Sequence, residues 1–359
     1  MKRLSSEVVP IVDGHLDLAE NVTIFGRDLT RDLSFIRRRE KRTLNQISVT
    51  LPELKKGNVV ITFATVTPGF LPEDVGKDFE PKSAIYHDYR EAEAQAMSQI
   101  DLYEGWERNG FVRIIKSVND LEDHLHLWNS DHAIGLVLLM EGADPIIEIK
   151  DLPKWWSRGL RMIGLTFGDT KYGAGVAGGT TKEKKEGISE KGIELLEEMA
   201  ELGLIWDISH LTERGVWQGL DLGFQKVFAS HANSQALMHS NRHLSDEIIK
   251  EVAKRGGVIG LVLYNGFLDM EWRKDHSVPV SLAEQFRNHA EHIAKLTSWK
   301  HVGIGSDFDG GFGSDETPME IDSIADLYKI GDVVPVEFRE DVLSINWINF
   351  LRRSLPERS

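Results

Sequence analysis

The chain has 359 residues, 41% of them hydrophobic, a formal net charge of −15 and no cysteine. That acidity repels phosphate backbones and anionic lipid, which argues against nucleic-acid and membrane partners. The missing cysteines exclude disulfides, thiolate metal sites and cysteine nucleophiles, so any metal must be held by imidazole and carboxylate.

Eight short apolar runs recur along the chain: Val8–Asp13, Val59–Val66, Ile134–Met140, Met162–Thr166, Leu204–Ile208, Val227–Ser230, Gly257–Leu263 and His301–Gly305. They are continuous rather than alternating, the pattern of parallel strands covered on both faces. Amphipathic segments separate them. GISEKGIELLEEMAEL places Ile193, Leu196, Met199 and Leu202 at helical spacing. Ser245 opens SDEIIKEVAKR as a capping box ahead of a Gly-Gly stop, and Ser281 opens SLAEQFRNHAEHIAKL in the same way. Strands alternating with helices predict an α/β chain folded as a (β/α)8 TIM barrel, with a doubly wound sheet as the alternative. No repeat, Pro-rich linker or low-complexity tract marks a boundary, so residues 1–359 are expected to form a single domain. No apolar h-region follows the basic start, and the longest apolar run, Ala133–Met140, is too short to span a bilayer. A cytoplasmic protein is the expectation.

The polar residues that break these runs fall at the same end each time. The first run leads into DGHLD with His15 and Asp17, and the third closes on Glu141. The fifth leads to His210 in DISH, the sixth to His231, and the eighth to Asp307 and Asp309 in SDFDG. In a (β/α)8 barrel the active site lies at the C-terminal ends of the strands. Taken singly, each residue has an ordinary alternative: a chance H-x-D triplet, a hydrogen-bonding histidine, a capping glutamate, a turn. Those alternatives do not explain the convergence of five ligand-type residues on one face. Three imidazoles and two carboxylates without sulfur suit Zn2+, with Mn2+, Co2+ or Fe2+ as substitutes. Five ligands exceed the needs of one tetrahedral catalytic zinc and suit two ions sharing a carboxylate, typically ~3.5–4 Å apart.

GAGVAG at Gly173–Gly178 matches G-x-G-x-x-G, but GTTKEKKEG follows where a dinucleotide site needs a helix. The expectation there is a loop over the barrel mouth. No G-x-S-x-G elbow or Walker A sequence occurs, and SDFDGGFGSDE lacks the spacing of an EF-hand loop.

DGHLD, EGAD, WDISHL, FASHAN, NRHLSDEIIKEVAKRGGVIGL and HVGIGSDFDG resemble, in order and over nearly the whole chain, the motifs of the membrane (renal) dipeptidase family. This is peptidase family M19 of the amidohydrolase superfamily. The resemblance implies that His15 and Asp17 bind one zinc, that His210 and His231 bind the other, and that Glu141 bridges them. Asp307 matches the catalytic aspartate that handles the proton of a metal-bridging hydroxide. Arg242, eleven residues after His231, matches the arginine that takes the substrate carboxylate; an exposed helix-start arginine is the alternative. Tyr264 matches a pocket tyrosine more loosely, against a plain rim aromatic. Renal members carry a carbonyl-contacting histidine after L-T at the end of the fourth strand, where this chain reads LTFGDTKYG. Phe167 therefore stands at a substrate-binding position, with Thr170, Lys171 and Tyr172 as candidates for a replacement donor.

The resulting expectation is a dizinc dipeptidase acting on L-L and, through the family's tolerance of D-residues at the C-terminal position, L-D dipeptides. A related amidohydrolase acting on another amide or ester, and a metal-binding barrel without catalysis, are the alternatives. Asp307, surplus to the five ligands, favours catalysis. Relatives that dimerise leave monomer and homodimer both open.

Overall fold

The computed structural model describes residues 9–40, 46–69, 85–177 and 185–358. Its strands are β1 (Ile11–Leu16), β2 (Val59–Val66), β3 (Val112–Ile114), β4 (Ile134–Glu141), β5 (Leu160–Gly164), β6 (Ile205–Asp207), β7 (Val227–Phe228), β8 (Ile259–Leu261) and β9 (Val302–Ile304). All pair in parallel, in the order β7-β6-β5-β4-β2-β1-β9-β8. A further parallel bridge between Ala229 and Ile259 joins β7 to β8 and brings the ring round. The result is the predicted (β/α)8 barrel; an open doubly wound sheet would leave two unjoined edges.

The long strands β2 and β4 are buried at every residue, which their uninterrupted apolar sequence requires. Full burial of a Val, Leu or Ile side chain contributes about 1.5–3 kcal/mol, so these staves hold the sheet against the helices outside and the plug inside. Phe63 and Phe228, from strands that are not neighbours in the ring, meet at 5.7 Å, which places their rings in the barrel interior. Trp347 from the C-terminal helix Asn346–Ser354 joins them, edge-on to Phe63 at 4.9 Å, and its indole donates to Ile304 O at 2.9 Å.

Some local expectations are revised. β3 was not predicted: three residues carry too little apolar sequence to stand out. It pairs with Ile134–Leu136 at the lower half of β4, below the half that pairs with β5. β1 begins at Ile11 and runs on through His15; Val8 lies outside the described residues. Ser245 precedes helix Asp246–Lys254 but does not cap it, because its hydroxyl donates to Glu213 Oε1 at 2.8 Å. Ser281 does accept from Glu284 N at 3.2 Å, ahead of a π-wound turn, Leu282–Phe286, that leads into α-helix Arg287–Leu296. Among the described residues no helix is long and apolar enough to cross a membrane.

Candidate metal centre and active site

The barrel positions the candidate residues by a simple rule. β1 carries His15, with Asp17 one residue past its end, and β4 ends on Glu141. His210, His231 and Asp307 each lie three residues beyond the ends of β6, β7 and β9. All six are buried. His15 Nε2 lies 3.5 Å from Glu141 Oε1, 3.7 Å from Asp17 Oδ1 and 3.8 Å from Asp307 Oδ1. His210 Nε2 and His231 Nε2 lie 3.2 and 3.5 Å from the same Glu141 oxygen. Glu141 is therefore common to two potential ligand groups, His15–Asp17–Glu141 and Glu141–His210–His231.

Hydrogen bonds on the far side of each imidazole decide which nitrogen faces inward. Ser230 Oγ donates to Asp207 Oδ2 at 2.5 Å, which leaves its lone pairs for His231 Nδ1 at 2.7 Å and His15 Nδ1 at 3.2 Å. His210 Nδ1 meets the Val176 carbonyl at 2.9 Å. These partners assign the ring protons to Nδ1, so three Nε2 lone pairs point into one space. His210 Nε2 and His231 Nε2 are then two acceptors 2.8 Å apart, an arrangement that a cation between them reconciles. Among the described residues, His15 Nε2 and Glu141 Oε1 are buried with no hydrogen-bond partner. Imidazole and carboxylate donors of this kind fit zinc-type divalent ions.

The electrostatics agree. Burial pulls the His15 imidazole down to about 4 and holds His210 and His231 well below the usual range, so all three stay neutral. Burial, then repulsion from Glu141, pushes Asp17 and Asp307 well above the ordinary carboxylate range. The same two causes raise Glu20 to about 7. A site that strips protons from imidazoles and crowds carboxylates is one that a divalent cation relieves.

Further residues hold the cluster in shape. Thr65 Oγ1 donates to Asp17 Oδ1 at 2.5 Å, and Thr67 Oγ1 to Glu141 Oε2 at 3.2 Å. Asp13 takes both the amide and the hydroxyl of Ser306, as Asp207 does those of Ser230, and so fixes the turns that carry Asp307 and His231. His210 and Asp307 are held at φ +63° and +61°, a left-handed conformation that costs a non-glycine residue of order 1–3 kcal/mol. Gly310 permits the close approach: a Cβ there would stand 2.2 Å from Asp307 Oδ1 and 2.7 Å from Asp17 Oδ2. Asp309 faces away, accepting from the amides of Ser48 and Val49.

A cavity of about 250 Å³ opens on the cluster, walled by Glu20, Phe25, Phe167, Tyr264, Phe267 and Phe312. Phe167 lies 4.7 Å from the His210 ring, and Tyr264 packs on Phe267 and Phe312. Arg242 is buried and donates from Nη2 to His210 Nε2 at 2.9 Å; its Nε and Nη1 have no hydrogen-bond partner among the described residues. The exposed-arginine alternative is thereby excluded. Thr170, Lys171 and Tyr172 do not line the cavity. Their side chains are engaged with the carbonyls of Leu165, of Asp144 and Ile147, and of Ile146. The glycine-rich loop is fastened to the site, since Val176 N donates to His210 O at 2.7 Å; Gly178 lies outside the described residues.

Sequence reasoning brought the six cluster residues, Arg242, Tyr264 and Phe167 to one end of the barrel, and the structure brings them together. It missed Ser230, Thr65, Thr67 and Glu20. Ser230 stands next to His231 in FASH, which is a usable signal; the threonines and Glu20 have none beyond lying near a strand end.

The model of the membrane dipeptidase family matches residues 1–352. An uncharacterized dipeptidase of Schizosaccharomyces pombe is 28% identical over 61% of this chain and 51% of its own length, so the match spans about half of that relative. An uncharacterized protein of the pqqA 5′ region in Klebsiella pneumoniae is 26% identical over 68% of this chain and 88% of its own. Among solved structures, a metallopeptidase from Rhodobacter sphaeroides, determined with a phosphinate mimic of the dipeptide L-Ala-D-Ala, superimposes with a TM-score of 0.79 at 22% identity, covering 97% of this chain and all of that one. Dipeptidase AC, of family M19, gives 0.77 at 23% over 97% and 99%. With a matched model over almost its whole length, the chain belongs to the membrane dipeptidase family, peptidase family M19.

Proposed function

We propose that the chain works as one catalytic unit, a dizinc dipeptidase that cleaves the peptide bond of L-L and L-D dipeptides. His15 and Asp17 hold one ion, His210 and His231 the other, and Glu141 serves both. When bound, the ions polarise the scissile carbonyl and lower the pKa of water toward ~7, supplying hydroxide near neutral pH. Asp307, whose carboxyl is raised by burial and by Glu141, takes the proton of the attacking water and returns it to the leaving amine. Arg242 holds the substrate's C-terminal carboxylate. Arg242 Nη2 donates its hydrogen bond to the same His210 Nε2 lone pair that a metal ion would use, so with that nitrogen on a metal the guanidinium would be left to pair with the substrate carboxylate. Phe167 and Tyr264 form walls that meet substrate side chains. The L-D class is included because the Rhodobacter sphaeroides relative was solved with a mimic of L-Ala-D-Ala.

One observation carries this reading. Orphaned ligand atoms share a buried site with a guanidinium for which, among the described residues, no carboxylate lies at ion-pair distance. A substrate that binds divalent metal at its carbonyl and carries a carboxylate meets both needs. The test is a zinc-loaded assay over a library of L-L and L-D dipeptides, with and without chelator. Protein that holds two ions and turns over no dipeptide would overturn the proposal.

A further inference from the structure

One carboxylate in the cavity has no task in that mechanism. Glu20 sits one turn after Asp17 on the short helix Leu18–Thr23, is 7% exposed, and lines the cavity beside Phe25, Tyr264 and Phe312. Its carboxylate makes no hydrogen bond or ion pair with any described residue. The charged groups that interact with it, Glu141, Asp17 and Asp307, have its own sign. A buried carboxylate in that setting destabilises the fold unless a cation arrives from outside. The aromatic walls also favour a cation.

Glu20 and Arg242 border different ends of the cluster. Glu20 neighbours Asp17, in the group His15–Asp17–Glu141, whereas Arg242 touches His210, in the group Glu141–His210–His231. An unblocked dipeptide carries one charge at each end, and its α-ammonium is only two bonds from the scissile carbon. With the carboxylate on Arg242 and the scissile carbonyl at the cluster, the ammonium falls on the Glu20 side. We propose that Glu20 receives the free α-ammonium of the N-terminal residue, so that Glu20 and Arg242 together restrict the enzyme to unblocked dipeptides. This rests on the dipeptidase reading above.

The experiment compares Ala–Phe with its des-amino analogue propionyl–Phe, using the zinc-loaded full chain and its Glu20→Gln variant. The wild type should favour Ala–Phe by about 10- to 100-fold in kcat/KM, mostly through KM. Glu20→Gln should erase that preference by losing Ala–Phe activity, with propionyl–Phe turnover within about twofold of wild type. Zinc content should be unchanged, and Tm should not fall, because the variant removes an unpartnered buried charge. A preference that survives in Glu20→Gln, or a wild type that takes both substrates equally well, overturns the proposal while leaving the dipeptidase reading intact. A wild type that hydrolyses neither these substrates nor any other dipeptide overturns both.

Discussion

Replacing Ser230 by alanine removes a hydroxyl that touches imidazoles from both halves of the candidate metal site. Its oxygen stands 2.7 Å from His231 Nδ1 and 3.2 Å from His15 Nδ1 while it donates to Asp207. Without it both N–H groups lose their acceptor in a site where water has little access, at about 1–3 kcal/mol for each buried donor left unpaired. The rings are then free to adopt the tautomer with the proton on Nε2, which cannot bind metal. Loss of such an outer partner typically lowers metal affinity by about 10–100-fold, or roughly 1.4–2.7 kcal/mol. The shorter contact is to His231, so the ion shared by His210 and His231 should weaken toward the upper figure, and the His15–Asp17 ion toward the lower. Chelator competition, followed by metal analysis, resolves the two steps. Ser209→Ala is the control: its hydroxyl accepts from the His231 amide at 3.2 Å rather than from a ring. If Ser230→Ala releases both ions within twofold of wild type, or if Ser209→Ala weakens them equally, the role given to the Ser230 hydroxyl is wrong.

Asp307→Asn should lower kcat by about 10²–10⁴ with both ions retained; loss of an ion alongside activity would make Asp307 a ligand instead. Arg242→Ala should weaken unblocked dipeptides by about 2–5 kcal/mol and spare C-terminal amides, and equal losses on both would refute the carboxylate role. Phe167→Ala should redistribute side-chain preference more than it changes kcat, because the ring lines the cavity against His210; unchanged relative kcat/KM over a dipeptide panel would remove it from the pocket. Acid lability should have a component remote from the candidate metal site. Burial holds His124 at about 4, with Arg113 Nη1 donating to its Nδ1 and its Nε2 bonded to the Val60 carbonyl. The unfolded state binds that proton near 6.5 and the folded state only near 4, so stability is full above pH 6.5 and falls as pH drops through that window. His124 by itself should contribute about 2 kcal/mol of the loss at pH 5. In urea titrations of metal-stripped protein at pH 7 and pH 5, His124→Gln should lose about 2 kcal/mol less than wild type, the remaining loss coming from the other buried imidazoles.

The barrel and the positions of its candidate ligands were legible in the order of the residues, because both depend on local pattern. Continuous runs such as Val59–Val66 and Ile134–Met140 have no polar face to present to water, so they must be staves of a sheet covered on both sides. A histidine or carboxylate at the end of such a run lands at the rim whatever its neighbours do. The short strand Val112–Ile114 escaped because three residues carry no period. The Ser245 capping box failed because Glu213, brought up by another helix, competed for the hydroxyl. What only the tertiary structure decided are the relations across the ring. Ser230 reaches His15 from the far side of the barrel, Arg242 turns inward to His210, Tyr172 is tied to Ile146 and so removed from the cavity, and the Glu20 carboxylate is buried with no partner among the described residues. Such contacts join residues far apart in the chain, from 26 positions for Tyr172 and Ile146 to 215 for His15 and Ser230. No local spacing records them; they exist only once the closed sheet brings the strand ends to one rim, where burial raises the energy of every charge left unpaired.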